Sequence, residues 1–350
     1  MKKILVLALA VVMTLGLIAA CAPQAANDPT PAAPAAPAAP APEAPAPAPQ
    51  GNDGPLKIGF ANLIDAGDYM AWVKRGMEEA AAAHGVELIS VDNEADGTVA
   101  IRNADTLIAA GVDAVIWYMN DAAVNSQAKD MFDAAGIPVV AVDIIVSNAA
   151  GTAPQIGGDN YKAGHIAGTG LGEYVMEHWG PDIDLYICNG TLSNAETNDQ
   201  RNGGMRDGVR DAGVNLTDDL IVVIDGDDNM MESQRLVTDV LTANPDKKRI
   251  LIANHQDDMT QGAFAAVEIA GRQDDVLIVG NGPFGSTFEN MRRAERNFWV
   301  GSASFAPEQY GPIGIDLAIR LARGETVPQE NFVQHVFLTH YNINDYYPPN

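Results

Sequence analysis

The chain has 350 residues, with 46 acidic and 21 basic side chains and a formal net charge of −25. This charge excludes nucleic acid as a partner, because phosphate backbones are bound by clusters of Lys and Arg and the sequence has no such cluster. Cys21 and Cys188 are the two cysteines of the chain, so a disulfide framework is not expected.

Residues 1–20 are typical of an export signal. Lys2 and Lys3 precede an apolar run over residues 4–18, and small residues then lead to Cys21. This pattern resembles a bacterial lipoprotein signal, which implies cleavage before Cys21 and membrane attachment through a lipid on that thiol. The alternative is an ordinary secretory signal followed by a cysteine that carries no lipid.

Residues 21–55 are predicted to form a tether. Beyond Cys21 the segment consists almost entirely of Ala and Pro and has hardly any large apolar side chains. Such a segment cannot bury enough surface to offset the entropy lost on ordering, so we expect it to be extended and semi-rigid. The globular part is therefore predicted to begin near Leu56.

From Leu56 onward, short apolar runs alternate with longer amphipathic periods, and Cys188 falls inside one of the apolar runs. Strands are predicted at 57–61, 86–91, 114–118, 139–142, 185–188, 220–224, 250–253, 276–279 and 299–303. Helices are predicted between them, for example at 71–83, 100–110, 163–178, 233–243 and 262–270. Apolar strands that are each followed by a helix indicate a parallel sheet covered on both faces. The sequence therefore predicts a doubly wound α/β architecture, with Cys188 as a buried small hydrophobe.

Ligands of such sheets bind outside the carboxyl ends of the strands. In this chain those ends carry carboxylates, amides and aromatic rings, as in the segments 62–69, 189–201, 225–229 and 254–258. Two such edges that face each other would form a polar cleft suited to a polyol. The competing interpretation is that loops are polar in any protein.

Three segments carry a more specific pattern, in matching order and spacing: GIPVVAVD at 136–143, GDNYKAGHIAG at 158–168, and LTANPD at 241–246 leading to DDMTQGA at 257–263. They resemble the ribose- and galactose-type sugar-binding proteins of bacterial ABC importers. The resemblance implies the periplasmic-binding-protein type I fold, with two doubly wound parallel-sheet lobes joined by a three-segment hinge. The implied crossings lie near Gly158, near Phe305 and near Val327–Pro328. The implied lobes are 56–158 plus 306–328, and 159–305 plus 329–350.

The resemblance also implies ligand-binding residues. Tyr69 and Met70 occupy the positions of aromatic side chains that stack on the sugar. Asp143 corresponds to the aspartate that accepts sugar hydroxyls, and Arg201 to the arginine whose planar guanidinium donates to sugar oxygens. Asp65 lies in the same loop as Tyr69 and is included in the predicted site.

The remaining predicted contacts come from the second lobe. Gln256 aligns with an amide that follows a strand, although a one-residue gap leaves His255 as an alternative. Asn281 stands where ribose binders have an aspartate, Asp228 at an aromatic position, and Phe305 at a glutamine position.

Ile144 replaces an arginine that ribose binders place after the aspartate. Because charged sugar contacts are missing, ribose itself is not expected. A hexose, another pentose, a deoxy sugar, a cyclitol or a furanosyl signal molecule is expected instead.

No cofactor and no metal site is predicted. The glycine-rich segment 280–285 fits a dinucleotide pattern formally, but no acidic residue ends the following strand. The acidic loops 92–97 and 225–229 resemble calcium loops but lack the glutamate at the twelfth position. The six histidines show no metal spacing.

The predicted function is capture without chemical change. Closure of two lobes around a small sugar or polyol would present the protein to an ABC permease, with the lipid-anchored monomer outside the cytoplasm. The alternatives are a ligand sensor for a chemoreceptor or kinase, and a glycoside hydrolase whose acid and base would be Asp143 and Asp228.

Overall fold

The protein is described here by a computed structural model covering residues 55–192, 195–285, 287–292 and 298–349. The predicted signal, the lipid attachment at Cys21 and the tether up to residue 54 lie outside the described residues. The strands are β1 (Lys57–Asn62), β2 (Glu87–Asp92), β3 (Ala114–Trp117), β4 (Val139–Val142), β5 (Ser147–Asn148), β6 (Gly151–Thr152), β7 (Gln155–Gly157), β8 (Leu185–Gly190), β9 (Ile221–Asp225), β10 (Ile250–Asn254), β11 (Val276–Asn281), β12 (Trp299–Ala303), β13 (Glu330–Phe332) and β14 (Phe337–Leu338). The helices are α1 (Asp68–His84), α2 (Gly97–Ala110), α3 (Ala122–Ala134), α4 (Asn160–His178), α5 (Ala195–Asp211), α6 (Met230–Ala243), α7 (Asp257–Ala270), α8 (Thr287–Arg292), α9 (Tyr310–Ala322) and α10 (Ile343–Tyr346).

The first lobe is built on a six-stranded sheet with the order β13-β7-β4-β3-β1-β2, in which every neighbouring pair is parallel. Helices α1 and α9 cover one face, where Val73, Met77 and Ile315 are buried against the strands. Helices α2 and α3 cover the other face, with Leu107 and Phe132 in its core. Burial on both faces explains why the strands are apolar without alternation.

The second lobe has the strand order β14-β12-β11-β10-β8-β9, with β14 antiparallel to β12 and the other pairs parallel. Helices α4 and α5 pack on one face, and α6 and α7 on the other. Cys188 on β8 is buried, as predicted, and it has no disulfide partner among the described residues. Each strand predicted from an apolar run is present, with small shifts at its ends. The predicted two-lobed α/β fold is therefore confirmed.

The chain crosses between the lobes after β7, after β12 and after β13. The third crossing lies later than the sequence predicted, because Glu330–Phe332 still pairs with Gln155–Gly157 in the first sheet. The assignment of residues 329–332 to the second lobe is therefore wrong. This short edge strand carries no apolar run, so periodicity could not reveal it.

Each acidic loop ends in a side chain that caps the following helix. Asp96 accepts hydrogen bonds from the backbone N–H groups of Thr98 and Val99 and starts α2. Asn229 caps α6 in the same way, directly after the acidic segment 225–228. A capping oxygen satisfies backbone donors that a helix start leaves free. The described residues contain no cluster of His, Cys, Asp or Glu that could hold a metal ion.

Candidate functional site

A cavity of about 210 Å³ lies between the two lobes, at the carboxyl ends of β4 and β12. Both lobes contribute to its walls, as the doubly wound architecture requires. Its lining residues are Tyr69, Tyr118, Asp143, Ile144, Gly158, Asn160, Thr197, Arg201, Phe305 and Tyr310.

Asp143 is the half-buried carboxylate of the first-lobe wall. It follows β4 directly, in a left-handed backbone conformation with φ of 55° that Asp tolerates better than most residues. Tyr118 Oη donates to its Oδ2 at 2.6 Å, and Tyr310 Oη donates to its Oδ1 at 2.7 Å. Burial raises the pKa of Asp143, while these hydrogen bonds, the Arg201 charge and the Gly158 N–H act to lower it.

Tyrosine hydroxyls surround this carboxylate. Tyr118 and Tyr310 are buried, and Tyr69 Oη lies 3.0 Å from Tyr310 Oη. Burial, followed by the nearby charge of Asp143, raises the pKa of all three phenols well above their ordinary value. The phenols therefore stay protonated and act as hydrogen-bond donors to Asp143 or to each other.

Arg201 on α5 stands in the opposite wall. Its Nε donates to Asn160 Oδ1 at 2.9 Å, and its Nη1 donates to the backbone oxygen of His255 at 3.3 Å. Its guanidinium carbon lies 4.4 Å from the centroid of the Phe305 ring, within range of a cation–π contact. These contacts fix the orientation of the guanidinium plane at the cavity.

Glycines bring α4 and α5 into backbone contact and so place Arg201. A Cβ atom at Gly164 would lie 2.1 Å from the backbone oxygen of Arg201, and one at Gly168 would lie 2.1 Å from that of Met205. From the other helix, Cβ atoms at Gly204 and Gly208 would lie 2.3 Å from backbone oxygens of α4. Any side chain at these positions would push the helices apart.

Four of the residues predicted from sequence line the cavity together: Tyr69, Asp143, Arg201 and Phe305. Asp65 and Met70 lie outside the lining. Asp65 accepts from Asn62 at 2.8 Å and pairs with Lys74, whereas Met70 packs against the core of the first lobe.

The other predicted residues surround the second-lobe wall without lining the cavity. Gln256 caps α7, and its Nε2 donates to the backbone oxygen of Asp228 at 3.1 Å. Asn281 is fully buried, and its Nδ2 donates to the backbone oxygen of Asn254 at 3.4 Å. Asp228 lies 3.8 Å from Nε2 of His255.

Neither side chain at the ambiguous position lines the cavity. The imidazole of His255 is buried, and burial together with the Arg201 charge lowers its pKa to about 3. His255 meets the site through its backbone oxygen, which accepts from Arg201.

The sequence did not single out Tyr118, Tyr310, Asn160 or Thr197. Tyr118 ends a predicted strand, and this position could have identified it. Tyr310 begins α9, seven residues beyond the predicted strand 299–303, and no local signal pointed to it.

The lobes also touch beside the cavity. The Trp72 ring on α1 lies 6.0 Å from Phe288 and 5.6 Å from Tyr347, both of the second lobe, centroid to centroid. The ring centroids of Tyr69 and Phe284 also lie 6.0 Å apart. These aromatic contacts hold the two lobes against each other at one end of the cleft.

Two other cavities lie on the outer surface of the second lobe. One of about 720 Å³ runs along the start of α6, past Met231 and Arg235. The other, of about 240 Å³, lies between α4 and the C-terminal segment, near Tyr174 and Tyr341. Neither meets the carboxyl ends of the central strands. Across the described residues, no helix combines the length and apolar character that a membrane crossing requires.

The sequence profile of a family described as periplasmic binding protein domain matches residues 58–326. The ribose import binding protein of Bacillus subtilis is 22% identical over 284 residues, which cover 80% of this chain and 86% of that protein. A D-ribose/D-allose-binding protein of Pseudomonas aeruginosa is 27% identical over 259 residues, which cover 70% of this chain and 74% of that protein.

Among solved structures, a periplasmic solute-binding protein of an ABC transporter from Actinobacillus succinogenes, with bound D-allose, superposes with a TM-score of 0.68. It is 22% identical, and the match covers 83% of this chain and 100% of that one.

Proposed function

The chain belongs to the periplasmic binding protein family, and from this premise we propose that it is the extracytoplasmic solute-binding component of an ABC importer for a small neutral sugar or polyol. One observation carries the proposal: Asp143 of one lobe and Arg201 of the other line a single small polar cavity. The family's name places its members outside the cytoplasm, in agreement with the export signal expected at residues 1–20.

Size and charge favour a small neutral ligand. The cavity of about 210 Å³ is smaller than the roughly 300–1,000 Å³ of typical drug-sized pockets. Asp143 and Arg201 offset each other in charge, so a charged ligand would leave one of them without a counter-ion. The rings of Tyr69 and Phe305 add flat apolar surface of the kind that stacks on sugars. The relatives in B. subtilis and P. aeruginosa are named for ribose and for ribose or allose.

We expect a sugar other than ribose. Ile144 lines the cavity with an apolar side chain, and Asn281 and Phe305 carry no charge. A hexose, another pentose, a deoxy sugar, a cyclitol or a furanosyl signal molecule therefore fits the proposal better than ribose. Tyr69, Asp143, Arg201 and Phe305 would contact the ligand, and Asp65, Met70, Asp228, Gln256 and Asn281 would support those contacts from behind.

Capture would proceed by closure of the hinge. A ligand that bonds to Asp143 and Arg201 at once stabilises the closed arrangement, because the open arrangement separates the two walls. A permease would then recognise the closed shape, while the lipid on Cys21 keeps the protein at the membrane. No chemical step is needed. A glycosidase requires a pair of facing carboxylates, and Asp228 does not line the cavity with Asp143.

The test is calorimetry of the purified protein with D-allose, D-ribose, D-galactose, L-arabinose and myo-inositol, combined with small-angle scattering. We expect one of these to bind and to reduce the radius of gyration, and ribose to bind more weakly. Asp143→Asn should lower the affinity about 10- to 100-fold, because charge-assisted hydrogen bonds are lost. Asp105→Asn, at an exposed position on α2, is the matched control. Binding of none of the five sugars, or hydrolysis of chromogenic glycosides, would overturn the proposal.

A further inference from the structure

The hydrogen bonds around Asp143 fix the direction of every phenolic proton in the first-lobe wall. Tyr118 Oη donates to Oδ2 of Asp143 and Tyr310 Oη donates to Oδ1, so each of these phenols uses its single proton on the carboxyl group. Tyr310 then has no proton left for Tyr69. The contact of 3.0 Å between the two hydroxyls must therefore be donated by Tyr69.

The first-lobe wall consequently offers a ligand only acceptors. The phenolic oxygens of this wall keep lone pairs but no free proton. Asp143 already accepts from Tyr118, Tyr310 and the Gly158 N–H, which uses three of its roughly four acceptor sites. A bound molecule can therefore bond to this wall only by donating its own protons.

The second-lobe wall has the opposite character. A guanidinium has five N–H donors and no acceptor, and Arg201 uses Nε and Nη1 on Asn160 and on the His255 backbone. The side-chain oxygen of Asn160 accepts from Arg201, which leaves the amide N–H groups of Asn160 to donate, while the Thr197 hydroxyl, which also lines this wall, can donate or accept. Most of the polar groups of this wall are therefore donors.

We infer that Tyr118 and Tyr310 are specificity-determining residues that make the first-lobe wall acceptor-only, so that the ligand is a cyclic polyol or sugar with free hydroxyl donors on one edge and acceptor oxygens on the other. This inference rests on the proposed function. It also fixes how the ligand lies in the cavity. The edge of the sugar ring that faces Asp143 must carry hydroxyl groups that can donate, whereas the edge that faces Arg201 needs only acceptors such as a ring oxygen.

Monodeoxyfluoro sugars test the inference, since fluorine replaces a hydroxyl at similar size and cannot donate a proton. The probes are D-allose, D-ribose, D-galactose, L-arabinose and myo-inositol, each with its monodeoxyfluoro derivatives, measured by calorimetry. For a sugar that binds, fluorination on the edge facing Asp143 should lower the affinity at least about 100-fold, since a site built to bond a hydroxyl rejects the analogue that lacks it. Fluorination on the opposite edge should cost less than about fivefold. Equal losses at all positions would overturn the inference.

Tyr118→Phe assigns the effect to a residue. It should lower the affinity for the parent sugar about 10-fold and reduce the penalty of one particular fluorinated derivative, which a double-mutant cycle detects as coupling. Tyr161→Phe is the matched control, because Tyr161 Oη also donates to a carboxylate, that of Asp207 at 2.9 Å, but on the exposed surface of α4. Absence of coupling at Tyr118 would contradict the inference.

A measurement without ligand separates the two proposals. Proton NMR of the free protein should show slowly exchanging hydroxyl protons of Tyr118 and Tyr310 that disappear in the corresponding Phe variants and shift in Asp143→Asn. If these signals are present and no sugar binds, the proposed function fails and the specificity inference fails with it, although the wall geometry holds. If a sugar binds and the signals show hydroxyls that do not bond to Asp143, the inference alone is overturned.

Discussion

The two walls of the cleft are constructed by different means. In the first lobe, side chains satisfy one another, since Tyr69, Tyr118 and Tyr310 all hydrogen-bond within one cluster around Asp143. In the second lobe, glycines let two helix backbones touch, and Arg201 is placed by that contact. The comparison teaches that the first wall depends on which side chains are present, whereas the second depends on how closely the backbone can approach.

The walls also differ in how fully their buried polar atoms are paired. Behind the second wall, the side-chain oxygens of Asn189, Asn202 and Asn281 have no hydrogen-bond partner within the described part of the chain. In the first lobe Asn62 Oδ1 and Glu308 Oε2 are likewise unpaired, but both oxygens of Asp143, in the wall itself, are bonded. Unpaired buried acceptors are costly, so the wall around Asp143 is the better satisfied of the two.

The largest effect should follow from breaking the helix contact of the second wall. Gly168→Val places side-chain atoms where the Met205 backbone oxygen lies 2.1 Å from the Cβ position, so the helices must separate. We expect a loss of about 3 kcal/mol in unfolding free energy, typical of strong overpacking. Urea unfolding followed by circular dichroism measures it.

Gly203→Ala, on the partner helix α5, is the control, since a Cβ atom at Gly203 meets nothing within 4 Å. It should stabilise the protein by about 0.5–1 kcal/mol, because Ala loses less backbone entropy than Gly in a helix. A similar loss in both variants would mean that backbone approach is not what builds the second wall.

The second prediction concerns a buried aspartate of the second lobe. Asp257 is buried behind the second wall, where Ser302 Oγ donates to its Oδ1 at 3.1 Å, and burial raises its pKa to about 7. Between pH 4 and 7 the native state therefore holds a proton that the unfolded state has lost. The contribution of Asp257 to the unfolding free energy should therefore fall by about 1.4 kcal/mol per pH unit as the pH rises through this range.

Asp257→Asn isolates this contribution. Urea unfolding of wild type and variant at pH 5.0, 6.0 and 7.0 should show the wild type losing stability relative to the variant by about 2.5 kcal/mol as the pH rises. The low pKa of His255 acts with the opposite sign in this range, since the unfolded state then binds the extra proton, and the difference between the two proteins cancels it. A constant difference across the range would show that Asp257 is ionised in the native state.

Much of the architecture follows from the sequence because parallel strands buried on both faces are apolar throughout, as in β10 and β11. The parts of the site at strand ends, such as Asp143, follow from the same rule. Tyr310 could not be found, because α9 brings it to Tyr69 across 241 positions of sequence. The acidic loops were ambiguous in sequence, and the structure shows capping, a local backbone function that spacing alone does not reveal.

The third prediction tests whether ligand binding depends on the planar guanidinium of Arg201 in the second wall. Arg201→Lys keeps the positive charge but removes the planar contact with Phe305 and the bond from Nε to Asn160. The affinity for whichever sugar binds the wild type should fall about 10-fold, with unfolding free energy changed by less than about 1 kcal/mol. Lys162→Arg, on the outer side of the first turn of α4, is the reciprocal control and should leave the affinity unchanged.

The smallest effect should come from the contact that joins the two lobes beside the cavity. Trp72 of the first lobe packs against Phe288 and Tyr347 of the second lobe. Trp72→Ala removes apolar contact that an open arrangement does not make, so the closed population should fall and the sugar affinity should drop about fivefold, equivalent to about 1 kcal/mol. Small-angle scattering of the free protein should show a larger radius of gyration.

Tyr346→Ala is the control for this prediction. It removes an exposed ring from the same C-terminal segment and should change neither the sugar affinity nor the radius of gyration. If Trp72→Ala also leaves both unchanged, the lobes are held together by the walls of the cavity alone, and the comparison between those walls then accounts for closure as well as recognition.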